Sequence, residues 1–396
     1  MEHGPASART PPAVWALYGA LAVTSTLLHA SFVDTTHWAP IRDEWSAAIL
    51  AGQGPSPDQY RMLTHWLAAI LHRAGLGWDL AYQTIRGGAT VAAACLFHRF
   101  LAGWFPLMVC VAGTLWLLAF IPFTHLHYYF QPADPLNLVA FLSGYLVIRA
   151  GRDGWLAVLL PVGVLNRETV LLLLPCWAFV RYDEMPWRRF LLRGAGLALL
   201  AAGAYAGVRA WYGIRPYYTA YYFFLWKNMA DPRAWLHLTC LVTPTALALR
   251  SGARDRIPRF LTRAAGMLPF LFAVQWTFMA GIEPRIYLPA LPLLIALTLA
   301  MLVPVRETDG LPAGSVAPPP TPEPPAWLTR RRGTVYLALL AGFCGCLFLF
   351  LRYMERTYIR GFEARQALER ARPPISASAP SLNNRNRFEA TPPRAE

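Results

Sequence analysis

A chain of 396 residues that is 56% hydrophobic and only 15% charged, with 15 Trp and a mean hydropathy of +0.33, is too apolar for an ordinary soluble domain. Its apolar runs approach or exceed the roughly 18 to 20 residues that cross a bilayer as helix, and no alternating strand pattern of the barrel kind is present, so the expected fold is all-α, a polytopic helical membrane protein. The formal charge of +14 is carried almost wholly by arginine, Lys227 being the only lysine, and its spread through loops and tail points to membrane orientation and away from nucleic acid.

Residues 1–11 form a short tail ending in Pro11, and the first span runs from about Ala13 to Phe32. Arg9 before it and small residues near Ala30 resemble a secretory signal, but its length and the membrane segments that follow predict an uncleaved span. An acidic first outer loop, 33–60, comes next. From Asp34 to the basic residue at its exit, Arg61, the chain carries Asp34, Asp43, Glu44 and Asp58 with a Gly/Pro break at Gly52 to Pro57. Carboxylates beside a membrane mouth accept protons, bind a cation or position a hydroxyl; the plainer alternative is a solvated connector with an N-cap at Asp43. Residues 60–74 place Met62, Leu63, Trp66, Leu67, Ile70 and Leu71 on one face, interrupted by Arg61, His65, His72 and Arg73, which predicts a helix lying at the interface.

Further spans are expected over 78–98, 104–122 and 135–150, with His125, His127 and Asp134 in the connection FTHLHYYFQPAD. The segment Trp155 to Tyr182 is different: two apolar runs of about a dozen residues, each holding a proline (Pro161, Pro175), flank Asn166-Arg167-Glu168. At 1.5 Å per residue each run reaches about 16 to 20 Å, short of the roughly 30 Å hydrocarbon core. A re-entrant pair of half-helices is therefore predicted, because such a break survives only where it lines a cavity or is buried in protein.

Spans follow at 190–211, 234–250, 265–281, 286–304 and 334–352, separated in the last case by a Pro-rich linker, 305–333, and succeeded by a basic, partly disordered tail, 353–396. Arginines concentrate at 181–193, 250–263 and 330–332. Counting the half-helix pair as a hairpin puts all three on the cytoplasmic side, with the N-terminus inside and about nine full spans. The six cysteines lie in apolar segments and read as packing residues, with no Cys/His spacing of a zinc site.

That count brings Asp34, Asp43, Glu44, Arg61, His125, His127, Asp134, Glu283 and Arg285 to the outer face and lets Arg167 and Glu168 point toward it. Ionisable groups near hydrocarbon cost roughly 2.5 to 3.5 kcal/mol each, so convergence favours a functional cavity. Local explanations stand beside it: Arg167 and Glu168 as ties of the hairpin, Glu283 and Arg285 as a pair capping a short loop, the histidines as interfacial residues. Lys227 and the tyrosines around it are either a sugar-stacking surface or an aromatic belt.

An N-terminal span, an acidic first outer loop, a G-x-x-P break and a Tyr-Arg entrance to an amphipathic helix together resemble the multispan GT-C glycosyltransferases. VLNRETVLLLLP and EPRIYLPALPLLIAL are similar to later turns and spans of such proteins, and the resemblance covers roughly 13–304. It implies a bacterial inner-membrane enzyme that moves a sugar, with inversion, from a polyprenyl-phosphate donor to an acceptor outside the cytoplasm. It also implies a first-loop acid as base: Asp43, with Asp34 in reserve and Glu44 beside it. Arg61, Arg167 and Arg285 suit the phosphate, and His125, His127, Asp134, Glu168, Lys227 and Glu283 complete the candidate substrate-binding set. The expected partners are the bilayer and the lipid-linked sugar. No cofactor is implied with certainty, and a divalent cation is compatible. The chain departs from better-known members in having no large soluble C-terminal domain. The alternatives are a transporter or flippase, since broken helices also mark substrate pathways, and a membrane scaffold.

Overall fold

The structure, a computed structural model, describes residues 10–31, 33, 39–125, 132–213, 224–249 and 257–305. The chain divides into two compact units, Met1–Arg330 and Arg331–Glu396, and the described residues all belong to the first. The expected linker beyond residue 305, the span 334–352 and the basic tail lie outside the described residues, as do Asp34 and His127.

The described residues are all-α. Fourteen helices succeed one another: α1 (Pro12–His29), α2 (Ala39–Leu50), α3 (Met62–Arg73), α4 (Trp78–Leu101), α5 (Leu107–Phe120), α6 (Ala133–Arg149), α7 (Asp153–Asn166), α8 (Leu173–Arg181), α9 (Trp187–Tyr212), α10 (Leu225–Ala230), α11 (Pro232–Leu249), α12 (Arg259–Ala264), α13 (Leu268–Phe278) and α14 (Leu291–Leu302). Prolines open many of them. Pro11, Pro106, Pro132, Pro186 and Pro258 each stand immediately before the first helical residue, where a missing N–H removes no helical hydrogen bond.

Part of the acidic segment expected as loop is helix. Ala39-Pro40 starts α2, and Gly52, at φ +74°, ends it by letting the Gly52 and Gln53 amides return to the carbonyls of Ile49 and Ala48. Asp43 therefore sits inside a helix and not at its N-cap, and only the Gly/Pro stretch that follows is loop.

The two ends of the bundle are fixed by polar ties. At one end Arg149 donates to the Phe100 carbonyl at 2.7 Å, Trp177 and Arg193 donate to the Asp153 carboxylate at 3.0 and 2.8 Å, and Arg259 pairs with Asp183 at 3.2 Å. Asp153 begins α7, Trp177 lies midway along α8 and Arg181 at its end stands 3.9 Å from the same carboxylate, so the chain climbs α7, turns at Arg167 and comes back. At the other end Asn166 donates to the Ala133 carbonyl at 2.9 Å. With 14 and 9 residues, α7 and α8 rise only about 21 and 14 Å.

Length and apolarity together suffice for a bilayer crossing in two described helical stretches, Leu107–Thr124 and Trp187–Tyr212; α7 and α14 are apolar but shorter. α9 buries only Leu197 and Ala201 and exposes Leu192 (76%), Leu199 (72%) and Trp211 (82%).

The hairpin is tightly closed. A Cβ on Gly163 of α7 would stand 2.6 Å from Val170 Cγ1 across the turn. Gly163→Ala should therefore lower the thermal midpoint of the full chain in micelles, the overpacking cost of about 1–3 kcal/mol exceeding the helix-propensity gain of about 1 kcal/mol. A midpoint unchanged or raised would mean that the turn gives way without strain.

Candidate functional site

The break between α7 and α8 places a guanidinium where three elements meet. Arg167 leaves the helix in extended backbone (φ −162°, ψ 133°), and its side chain pairs with Asp134 in the first turn of α6 and donates to the Met279 sulfur at 3.2 Å. Arg285, in the turn Pro284–Tyr287, reaches the other oxygen of Asp134 at 3.3 Å and also pairs with Glu283. One carboxylate is thus bridged by two arginines, and all four residues are buried.

Glu168 carries the network toward the first loop. Its two oxygens face Arg61 at 3.5 Å and Arg209 of α9 at 3.4 Å, while Arg61 also holds Asp58 at 3.3 Å. Arg209 lies over the rings of Tyr60 and Tyr205, 4.2 and 3.5 Å from their centroids, and Tyr60 donates to the Gly213 carbonyl at 2.9 Å.

Neutral groups set this frame. Thr64 donates to Asn166 at 2.8 Å, tying α3 to the end of α7. Asn228 of α10 donates to the carbonyls of Trp276 and Met279 at 2.8 and 2.7 Å and accepts from the Gly281 amide at 2.7 Å, which shapes the loop that presents Glu283.

The network balances four arginines (Arg61, Arg167, Arg209, Arg285) against four acids (Asp58, Asp134, Glu168, Glu283). Buried ion pairs seldom stabilise a fold more than apolar packing does, because each charge must leave water. So many in one place are better understood as a site able to exchange an internal carboxylate for an anionic ligand, with the bidentate geometry that guanidinium offers phosphate or carboxylate. Asp58 has a further property: burial raises its pKa above the usual carboxylate range, with Arg61 as the main opposing influence. A carboxylate tuned upward is a stronger base.

Six of the residues predicted from sequence therefore come together: Arg61, Asp134, Arg167, Glu168, Glu283 and Arg285. Asp43 and Glu44 do not join them. Asp43, on α2, keeps 61% of its side chain exposed and pairs with Arg42 at 3.2 Å, and Arg42 also reaches Asp79 at 3.0 Å; Glu44 is exposed on the same helix. Lys227 is exposed on α10, near Phe224. His125 ends the turn Ile121–His125, and Asp34 and His127 lie outside the described residues. Two members of the network were not assigned from sequence. Asp58 stands among the acidic groups of the first loop without a role of its own there, and Arg209 carries no assignment, although an arginine within an apolar run is itself a signal. No group of three or more His, Cys, Asp or Glu side chains forms a metal cluster among the described residues.

No family model matches this chain, and no curated protein or solved structure matches it.

Proposed function

We propose that this protein is an integral membrane glycosyltransferase that takes a sugar from a polyprenyl-phosphate donor and passes it to an acceptor on the extracytoplasmic side. The observation that carries the reading is the network of four arginines and four acids, buried at Arg61, Asp134, Arg167, Glu283 and Arg285 and half-buried at Asp58, Glu168 and Arg209, at one end of an apolar bundle and built around a turn between two half-length helices. In this reading the bundle crosses the inner membrane with about nine full spans and the α7–α8 pair re-enters it. The network end faces outward and the Asp183 end faces the cytoplasm.

The chemistry follows from the groups assembled. A first-loop carboxylate takes the proton of the acceptor hydroxyl, the hydroxyl oxygen bonds to the anomeric carbon, and the bond from that carbon to the phosphate oxygen breaks with its electron pair leaving on the phosphate. The anomeric centre inverts. Arginine fixes the phosphate, which leaves without a general acid. Of the first-loop acids in the described residues, Asp58 is the one within the arginine network, and we assign the base to it in preference to Asp43.

Placement in the membrane is tested by labelling. In a Cys240→Ser background, Gln53→Cys is expected to react with an impermeant maleimide from outside the cell, and Arg188→Cys only after permeabilisation. The reverse pattern would invert the topology and remove the extracytoplasmic site. The reaction is tested by following labelled sugar from a polyprenyl-phosphate donor into acceptor in membranes containing the protein; equal transfer in membranes lacking it would refute the reading. Transport of a solute without bond cleavage would instead favour the transporter.

A further inference from the structure

The end of the bundle opposite the network has a different charge balance. Its acids Asp153, Asp183 and Glu184 are already engaged: Asp153 by Trp177 and Arg193, Asp183 by Arg259 and Arg263, and Glu184 by Arg181 and Arg263. Arg152, just before α7, and Arg188 and Arg189, in the first turn of α9, are exposed and have no ion pair among the described residues. A cation in the first turn of a helix opposes the helix dipole, and that turn of α9 holds no acid to offset it. Arg188 and Arg189 therefore gain nothing from the helix that carries them.

α7 and α9 run side by side in the same direction, tied at this end by Arg193 to Asp153 at 2.8 Å and at the other by Arg209 to Glu168 at 3.4 Å. Arg189 lies one turn before Arg193, and so on the face of α9 turned toward Arg152 and the start of α7. Arg188 heads a second stripe of α9, followed at helical spacing by the exposed Leu192 and Leu199. On α7 the exposed stripe is Trp155, Val158 and Val162. Trp155 and Trp187, each 64% exposed, stand among the arginines at the start of the two helices. Guanidinium and indole at the rim with aliphatic stripes beyond them suit an amphiphile that has a negative head and a hydrocarbon body.

We propose that this face of α7 and α9 is a binding surface selective for anionic phospholipid, whose net negative headgroup meets Arg152, Arg188 and Arg189 while its acyl chains lie along the exposed stripes. Selectivity comes from net charge: a zwitterionic phospholipid has the same phosphate but brings its own cation to the arginines. The surface lies at the far end from the network of arginines and acids and takes no part in donor binding or transfer. The inference rests on the membrane placement in the proposed function and not on the reaction.

The test places the full chain in phosphatidylcholine vesicles containing rising fractions of brominated phosphatidylglycerol or brominated phosphatidylcholine, since bromine quenches indole fluorescence on contact. The signal read is the part of the quenching that Trp155→Phe/Trp187→Phe removes. Phosphatidylglycerol is expected to be preferred about fivefold or more, the effect of one arginine beside an anionic headgroup, and the preference should shrink as salt is raised. Arg188→Gln/Arg189→Gln should abolish it, whereas Arg233→Gln, at an exposed arginine paired with Asp231, should leave it as it is. If the double variant does not fold, Arg152→Gln carries the same test with a partial loss. Equal quenching by the two lipids, or a preference that survives in Arg188→Gln/Arg189→Gln and in Arg152→Gln, would overturn the proposal. An arginine-dependent preference without any sugar transfer would keep this surface and remove the enzyme reading, whereas transfer without the preference would remove the surface alone.

Discussion

Replacing Asp134 by Ala is expected to cost the fold about 3–5 kcal/mol, because it takes from the buried Arg167 its paired carboxylate and from the buried Arg285 one of its two. Arg167 and Arg285 both direct guanidinium groups at this carboxylate from elements far apart in sequence, and neither is near enough to water to be solvated in its absence. The full chain in micelles should show a large drop in its thermal midpoint. Adding Arg167→Met should restore part of the loss, since removing both members of a buried pair is milder than removing one. A midpoint for Asp134→Ala close to that of the native chain would show that the pair is dispensable, and the description of the site as a tightly held network would fail.

The second large effect concerns the base. Asp58→Asn is expected to leave folding and donor binding in place while transfer falls by about 10² to 10⁴, the range typical of a lost general base. The amide keeps the size of the side chain and its contact with Arg61 but accepts no proton. The pH dependence has a defined sign: with its pKa raised by burial, Asp58 loses its basic form as pH falls through a value above the ordinary carboxylate range, so transfer should decline on that acid limb and the limb should vanish in Asp58→Asn. Asp43→Asn, altering an exposed residue paired with Arg42, should change transfer little. If Asp43→Asn abolishes transfer and Asp58→Asn does not, the base is Asp43 and the assignment made from the network is wrong.

The broken segment was the most legible part of the fold. Pro161, Pro175 and the charged Asn166-Arg167-Glu168 between two short apolar runs leave few alternatives to a turn, and α7 and α8 meet again at Asp153 and Trp177. The helical character of the chain was equally readable from its apolar runs. Less could be read from the acidic segment, because α2 depends on how Ala39 to Leu50 pack and on Gly52 closing the helix, and neither is visible as hydrophobic periodicity.

The site was legible by residue type and not by pairing. Arg61, Asp134, Arg167, Glu168, Glu283 and Arg285 stand out because charge at the ends of apolar runs is costly, yet nothing local announces that Asp134 and Arg285, 151 residues apart, share a bond. The resemblance points to Asp43, with Asp34 in reserve, because both follow the first span, whereas the helix that carries Asp43 leaves it exposed to solvent. Arg209 carries no assignment from sequence, although its position inside an apolar stretch marks it as a group needing a partner.

The central claim is that bond cleavage at a polyprenyl-phosphate sugar is this protein's reaction, and the most direct measurement is turnover by the purified full chain in liposomes containing a single defined polyprenyl-phosphate hexose and an acceptor alcohol. The predicted result is release of polyprenyl phosphate in equal amount to a glycoside of inverted anomeric configuration, lost in Asp58→Asn. Intact donor lipid that moves between leaflets while no polyprenyl phosphate is released would contradict the account.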